Sequence, residues 1–591
     1  MNLKTLEDRS IQPQQNYGEG KLRFNWNTPI HLSPSGDGTV YIGAQFLFRS
    51  RDHGQTWDRI SPDLTTNDPE KQKQEESGGV TVDNSAAETH TTIYSISESP
   101  RNSQVIWVGT DDGNLQVTRD GGKTWTNVVA NIQGLPKASW VSWVEASRFA
   151  EGTAFATIDR HTFGDMQPYV FKTTDFGQTW SLLTASGTVV RGFAHVIKED
   201  TVASNLLFLG TEFGLWISLD GGANWAQYKG HDFPSVPVRD VAVHPRTSDL
   251  ILATHGRGIW IVDDISPLRQ MTPEVLSKDA TFLEAKPAEQ RLSANGGWPE
   301  GDGNFVGSNP PDGALISYYQ KRRHVYGRMK LEVLDDKGQL VDTLPASSRR
   351  GITRVVWSMR LKPPKVPPAA VIAGEATVGP RVVPGTYTIR LTRGTEVYTT
   401  KVVVTLDARA KYTVDDRKEE FAAATRVSKL LGDLTFDVDR INAVRQELAQ
   451  RAASLGSVDP LAKQLLALSD KADAIRKKIV ATKEGGAITG EERIREKTSQ
   501  VYGAVVFYEG KPADYYLTRI DSLAHERQDV VDEFDAFVAK DLQPTNKSLT
   551  AKRLSPINPL TREIWEKTSA DSDGGMPPAG NLLRSHLLTW R

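Results

Sequence analysis

At 591 residues the chain is too long for one hydrophobic core and divides into several domains. Its 71 Lys and Arg against 73 Asp and Glu leave almost no net charge, which excludes a strong field for nucleic acid or an anionic membrane. There is no cysteine, so disulfides and thiolate metal sites are excluded, and no window nears the ~18 apolar residues of a membrane span. The opening stretch, MNLKTLEDRSIQPQQNYGEGK, is polar and lacks a signal peptide's apolar core, so read literally the protein stays where it is made.

Fourteen Trp and 48 Gly suit short, twisted strands better than a helical bundle. The first strand candidates are FNWNTPIHLSP, TVYIGAQF and LFRSRDHG, ending in the turn SRDHGQTW at 50–57. TTIYSISES, VIWVGTDDG, NLQVTRDGG and TWTNVV repeat the scheme around TRDGGKTW at 118–125. SWVEASRF, AFATIDRH and YVFKTTDFG follow with TTDFGQTW at 173–180, then VRGFAHVI, LLFLGTEFG, LWISLDGG and NWAQY with SLDGGANW at 218–225. A fifth unit, VRDVAVHP, LILATHGRG and IWIVDD, keeps the strands and loses the turn motif.

The common pattern is Ser/Thr-x-Asp-x-Gly-x-Thr/Asn-Trp. Its Asp and hydroxyl groups bond the turn's own N–H groups, its Gly supplies positive φ, and its Trp fills the gap to a neighbouring sheet. Five such units over 1–268 read as an Asp-box β-propeller, a mainly β fold.

Residues 275–410 alternate as an immunoglobulin-like antiparallel β-sandwich, interrupted by a Pro-rich loop at 362–381. From 414 to 545 the period becomes helical: Val427, Leu431, Leu434, Val438, Ile441 and Leu448 form one stripe, and Leu461, Leu465, Leu468, Ala472, Ile475 and Ile479 another. A third helix is expected over 515–539, completing a helical bundle, and 546–591 reads as an extended arm.

Strand parity places a site. The Asp-box turns join the third and fourth strands, so Asp52, Asp120, Asp175 and Asp220 lie on one propeller face and are structural. The turns between second and third strands reach the opposite face with Asp111, Asp112, Asn114, Asp159, Arg160, His161, Glu212, His255 and Arg257. Crossings into first strands add Asn25, Asn27, Glu88, His90, Trp140, Arg191 and Arg239. This polar rim is the expected site.

FNWNTPIHLSP, VIWVGTDDGNLQVTRDGG, LFLGTEFGLWISLDGG and ATHGRGIWIVDDISPL resemble the bacterial Asp-box (BNR-type) propeller proteins labelled glycosyl hydrolase, which are related to sortilin-type propellers. The resemblance covers about residues 20–410 and implies a longer, exported (secreted or periplasmic) protein with another propeller upstream. The expectation is therefore a missing upstream propeller, or a ring closed by five blades plus the early NLKTLEDRS strand.

Three functions follow as alternatives. The leading expectation is calcium-assisted hydrolysis of a lactone or ester, such as an acyl-homoserine lactone. Asn27, Asp111, Asp112, Asp159 and Glu212 would supply hard oxygen ligands, and Glu212, His255, His161, Asp159 and Arg257 the catalytic groups. The second is glycoside hydrolysis of a polysaccharide, in which Glu212 and Asp111 or Asp159 would be the paired carboxyl groups. The third is a non-catalytic, sortilin-like propeller that binds peptide or glycan. No Walker or Rossmann context surrounds the glycines, so no organic cofactor is expected.

Overall fold

The structure is a computed structural model and describes residues 4–73, 89–185, 187–230, 233–292, 309–485 and 490–573. It is mainly β, with many small sheets and a C-terminal helical region. The chain forms two compact units. One runs through Asp279 and takes in Arg350–Ile352; the other comprises Ala280–Arg349 and the described residues from Thr353 on.

The first unit contains five antiparallel meanders in chain order. Sheet 1 is β1 (Ile30–Leu32), β2 (Val40–Gly43), β3 (Leu47–Ser50) and β4 (Asp58–Arg59). Sheet 2 is β5 (Ile93–Ser99), β6 (Asn102–Thr110), β7 (Leu115–Thr118) and β8 (Thr126–Asn127). Sheet 3 is β9 (Trp140–Ala146), β10 (Ala154–Arg160), β11 (Asp165–Thr173) and β12 (Ser181–Leu182). Sheet 4 is β13 (Ala194–Glu199), β14 (Leu207–Thr211), β15 (Gly214–Ser218) and β16 (Ala226–Gln227). Sheet 5 has three strands, β17 (Val238–Val243), β18 (Leu250–Thr254) and β19 (Ile259–Val262). The early NLKTLEDRS segment forms no strand over its described residues.

Four turns join third to fourth strands with one hydrogen-bond plan. In the second, Asp120 Oδ1 accepts from Thr118 Oγ1 at 2.8 Å and Thr124 N at 2.9 Å, and Oδ2 accepts from Thr124 Oγ1 at 2.6 Å. Thr118 Oγ1 in turn accepts from Gly122 N at 3.0 Å. Asp52, Asp175 and Asp220 make the equivalent bonds. Bonds from Thr56 and Thr124 hold the Asp52 and Asp120 carboxyls down to about 2.

Each corner also docks on what precedes it. Trp125 Nε1 donates to Ile60 O at 3.1 Å, and Trp225 Nε1 to Leu183 O at 3.3 Å, where Ile60 and Leu183 directly follow the outer strand of the previous sheet. Gly122, Gly177 and Gly222 all have positive φ and press on Ile60, Val128 and Leu183, so a Cβ at any of them would clash. The first corner is docked the same way, but by Ile11: Trp57 Nε1 donates to Ile11 O at 2.8 Å, and a Cβ on Gly54 would lie 2.7 Å from Ile11 Cβ.

Side chains alternate between the two faces of each sheet, and consecutive sheets bury facing sets. Tyr41 and Leu47 pack on Ile96, Ile106 and Val108; Trp107 and Leu115 pack on Val141, Val144 and Ala156; Phe155 and Val170 pack on Ile197, Leu209 and Trp216. Trp107 is fully buried between sheets 2 and 3. Trp107→Ala is expected to cost about 3–5 kcal/mol in urea unfolding.

In the second unit, a three-stranded sheet (Ala280–Leu283, Ala314–Gln320, Gly351–Trp357) accompanies a five-stranded one ordered Ala288–Gln290, Glu396–Leu406, Gly385–Arg393, Met329–Leu334, Leu340–Leu344. Trp357, Tyr318, Ile389 and Val404 share their core. One pair is parallel, Ala288–Gln290 with Glu396–Leu406, so the sheets are not antiparallel throughout; more than 100 residues of chain separate those strands, room enough for a crossover.

Helix Val414–Leu455 starts in a Thr413/Asp416 capping box and packs its Val427–Leu448 stripe against helix Pro460–Ile479. Helix Asp514–Phe537 runs through a π turn, Val538–Leu542, into Gln543–Ala551. Two further helices follow no period read from the sequence, one inside the expected helical region and one in the expected arm. Ile494–Val506 carries the Pro-rich loop, with Tyr502 Oη donating to Val378 O at 2.6 Å and Arg495 Nη1 to Val371 O at 2.7 Å. Arg562–Asp573, inside the expected arm, is supported by Arg562–Glu566 and Glu563–Lys567 ion pairs one turn apart. No helix among the described residues is long and apolar enough to cross a membrane.

Candidate functional site

The site begins with a defect repeated in four sheets. On the first strand of sheets 2, 3, 4 and 5 the register slips by one residue, leaving Tyr94, Ser142, His195 and Arg239 each without an opposite partner. Such bulges re-aim a side chain. Three of the four residues enter one line of contacts.

That line crosses all five sheets. Asn27, leading into β1, donates from Nδ2 to Tyr94 Oη at 3.1 Å. Tyr94 meets Trp140 edge-on at 4.6 Å between ring centres, and Trp140 lies 6.3 Å from His161. His161 stacks on Phe193 at 4.6 Å, and Phe193 meets the His195 ring at 4.7 Å. His195 Nε2 lies 3.1 Å from Glu212 Oε2, and Arg239 Nη1 lies 3.2 Å from His195 Nδ1.

The proton positions follow from the partners. A guanidinium only donates, so His195 Nδ1 accepts and its Nε2–H donates to Glu212. Burial, with Arg239 beside it, pushes the His195 ring down to about 3, so it is neutral at ordinary pH. Arg239 also reaches Glu212 at 3.8 Å, leaving a partly exposed carboxylate gripped by one neutral donor and one cation. A histidine depressed from 6.5 to about 3 stabilises the fold fully above 6.5, and that stability drains as pH falls toward 3. Nuclear magnetic resonance should show no His195 titration between about pH 5 and 8, whereas an ordinary histidine would titrate there.

The other expected residues are placed as follows. Asp159 is buried; its Oδ1 accepts from His161 N at 2.9 Å and His161 Nδ1 at 2.7 Å, and its Oδ2 has no partner among the described residues. Trp140, opposite Asp159 in the sheet, has an equally unpartnered buried Nε1. Asp111 accepts from Thr92 N at 2.8 Å, Thr92 Oγ1 at 2.6 Å and Asn25 Nδ2 at 3.1 Å, and burial raises its carboxyl. Asp112 is occupied by Thr66 N at 2.7 Å, Thr66 Oγ1 at 2.6 Å and Thr110 Oγ1 at 2.5 Å. His255 and Arg257 sit on an exposed turn; the Arg257 carbonyl accepts from Trp260 Nε1 at 3.0 Å. Glu88 lies outside the described residues.

Asn27, Asp111, Asp112, Asp159 and Glu212 are thus divided among separate hydrogen-bond partners. Among the described residues no three carboxylate or imidazole groups gather in a form that holds a metal ion, so the five do not fit calcium as one ligand set. Tyr94, Phe193 and His195 are the site residues that sequence reasoning passed over. Their signal was faint: Tyr94, His195 and Arg239 each occupy the second position of a first strand, in IYSIS, AHVI and VRDV.

Comparison with known proteins adds a direction. No protein-family model matches the chain. It is similar to an oligoxyloglucan-reducing end-specific xyloglucanase from Emericella nidulans, 23% identical over 302 residues, which is 45% of this chain and 35% of that protein. The chain therefore spans about a third of the length of that curated relative. Among solved structures, an ancestral GH74 enzyme matches 55% of this chain and 38% of its own, at 14% identity and TM-score 0.32. The GH74 enzyme of Niastella koreensis matches 66% and 54%, at 11% identity and TM-score 0.28.

Proposed function

We propose that the first unit is a glycoside hydrolase acting on a polysaccharide. The observation that carries the reading is Glu212: partly exposed, held by His195 and Arg239, beside a row of aromatic rings. The distant similarity to a xyloglucanase supports the same class.

Glycosidic cleavage ordinarily takes two carboxyl groups, one delivering a proton to the leaving oxygen and one acting as base or nucleophile. Glu212 is assigned the second role, because it is partly exposed and its Oε2 faces both the His195 Nε2–H and the Arg239 guanidinium. Asp159 is assigned the first, since its Oδ2 alone is uncommitted among the buried rim carboxylates described above. Trp140 and the half-exposed Phe213 offer flat apolar surface to the C–H faces of sugar rings. The test is release of reducing ends from a glycan panel headed by xyloglucan oligosaccharides, with and without a chelator. Release that persists in chelator is expected, and a panel left uncut ends the proposal.

A further inference from the structure

Glu212 is outnumbered by the basic groups around it. Arg239 Nη2 lies 3.8 Å from its Oε2, and the Arg239 side chain is still 42% exposed although Nη1 already meets His195. Arg191 is fixed beside the same carboxylate by the backbone. The Arg191 carbonyl accepts from Thr211 Oγ1 at 2.9 Å, and Glu212 N donates to Phe193 O at 3.1 Å. Between them Gly192 has a φ of +80°, and a Cβ there would lie 3.1 Å from Glu212 Cβ and 2.9 Å from the Phe213 ring. The crossing from Arg191 to Phe193 is thus pressed onto Glu212 and Phe213, and Arg191 itself is exposed.

Sheet 5 adds two more basic groups. His255 N donates to Pro237 O at 3.0 Å, the bond that Glu212 N makes to Phe193 O, so His255 holds in sheet 5 the turn position that Glu212 holds in sheet 4. The His195 ring registers the crowding: burial, then Arg239, His161 and His255, all push it down. Arg257 follows two residues on, in an exposed turn where an added Cβ on Gly256 or Gly258 would meet nothing within 4 Å. Neither Arg191 nor Arg257 makes a side-chain hydrogen bond or ion pair among the described residues. On the acidic side, Asp111, Asp112 and Asp159 are buried, and the exposed Asp240 turns its Oδ1 to Val241 N at 2.7 Å. The fold therefore makes no use of two open guanidiniums beside Glu212.

We infer that the site takes an acidic glycan: a polysaccharide with a carboxylate or sulfate on a sugar ring next to Glu212, gripped by Arg191 and Arg257. That the ligand is a glycan rests on the reading above; that it is acidic rests on the arginines. A guanidinium meets either anion with two parallel N–H donors, and several around one opening raise the local concentration of an anionic chain. Arg239 offsets the repulsion between Glu212 and the incoming anion. A neutral glycan offers Arg191 and Arg257 nothing that water does not.

Binding is measured by titration calorimetry on the full chain carrying Glu212→Gln, so that nothing is cut during the titration. The probes are polygalacturonate and alginate oligomers, each beside its carboxyl-reduced form, and a sulfated glucan beside the unsulfated one. At least one acidic probe is expected to bind about tenfold tighter than its neutral twin, the worth of one charge-assisted hydrogen bond. Arg191→Gln/Arg257→Gln in the same background should erase that preference with unchanged circular dichroism, since both positions are exposed. Arg101→Gln/Arg246→Gln, in turns between first and second strands, should leave it intact. Whether the uronate or the sulfated probe carries the preference tells the two anions apart. No preference, a preference that survives Arg191→Gln/Arg257→Gln, or one lost equally in Arg101→Gln/Arg246→Gln would overturn the inference. The parent chain separates this outcome from the proposed activity. Acidic probes bound and left uncut would remove the hydrolase and keep the acidic site, whereas neutral glycans cut with no acidic preference would do the reverse.

Discussion

Glu212→Gln is expected to lower kcat on a cleaved glycan by about 10²–10⁴-fold, the usual contribution of a positioned proton-transfer group. The amide keeps the shape and still accepts from His195 Nε2–H, but it loses the charge that Arg239 faces. Unfolding by urea should change little, since Glu212 is partly exposed. His195→Ala acts through Glu212 and is expected to shift the pH profile as well as kcat, because it removes the donor holding the carboxylate. A kcat for Glu212→Gln within threefold of the parent chain would remove Glu212 from the chemistry.

An effect on stability as large as that of Trp107→Ala is expected in the second unit. Arg417 is fully buried and donates to Glu420, Glu509 and, at 3.1 Å, Tyr412 Oη. Glu509 also accepts from Arg381 Nη1 at 2.7 Å, and Arg381 Nη2 reaches Asp312 at 2.8 Å, so the network ties helix Val414–Leu455 to Arg381 and Asp312. Arg417→Ala leaves two carboxylates without their guanidinium in a dry setting. Breaking a buried pair from one side typically costs about 3–5 kcal/mol. Burial raises the Glu420 carboxyl to about 7 even with Arg417 beside it. Because the folded value lies above the ordinary 4.5, stability should fall as pH rises from 4.5 to about 7, and Glu420→Gln should flatten that slope. Urea midpoints across that range check both points.

What could be read from residues alone depended on range. The Asp120 turn is legible because the bonds of its Asp and Thr side chains close within seven residues, from Thr118 to Thr124. The Val427–Leu448 stripe is legible because one face of a long helix is buried and the other wet. Helix Ile494–Val506 left no such trace: Arg495, Glu496, Thr498 and Ser499 are buried with its apolar residues, so no polar face marks its period. The rim segments around Asp111, Asp159 and Glu212 were visible as turns. Tyr94 and His195 were not, because they are turned into place by register slips against a neighbouring strand, which no local pattern records.

The corner docking has a consequence for how such a chain can be lengthened or shortened. Each unit carries a socket in its own glycine corner and a plug just beyond its last strand: Ile60, Val128 and Leu183 are plugs, and Gly122, Gly177 and Gly222 are the sockets that take them. A cut placed immediately after a plug removes a module whose two fittings match those of its neighbours, so loss or duplication of one whole module leaves every junction mated. A cut placed anywhere else strands a socket. The reading frame of the repeat is therefore set at the turns between third and fourth strands, apart from the turns between second and third strands where the chemistry is proposed.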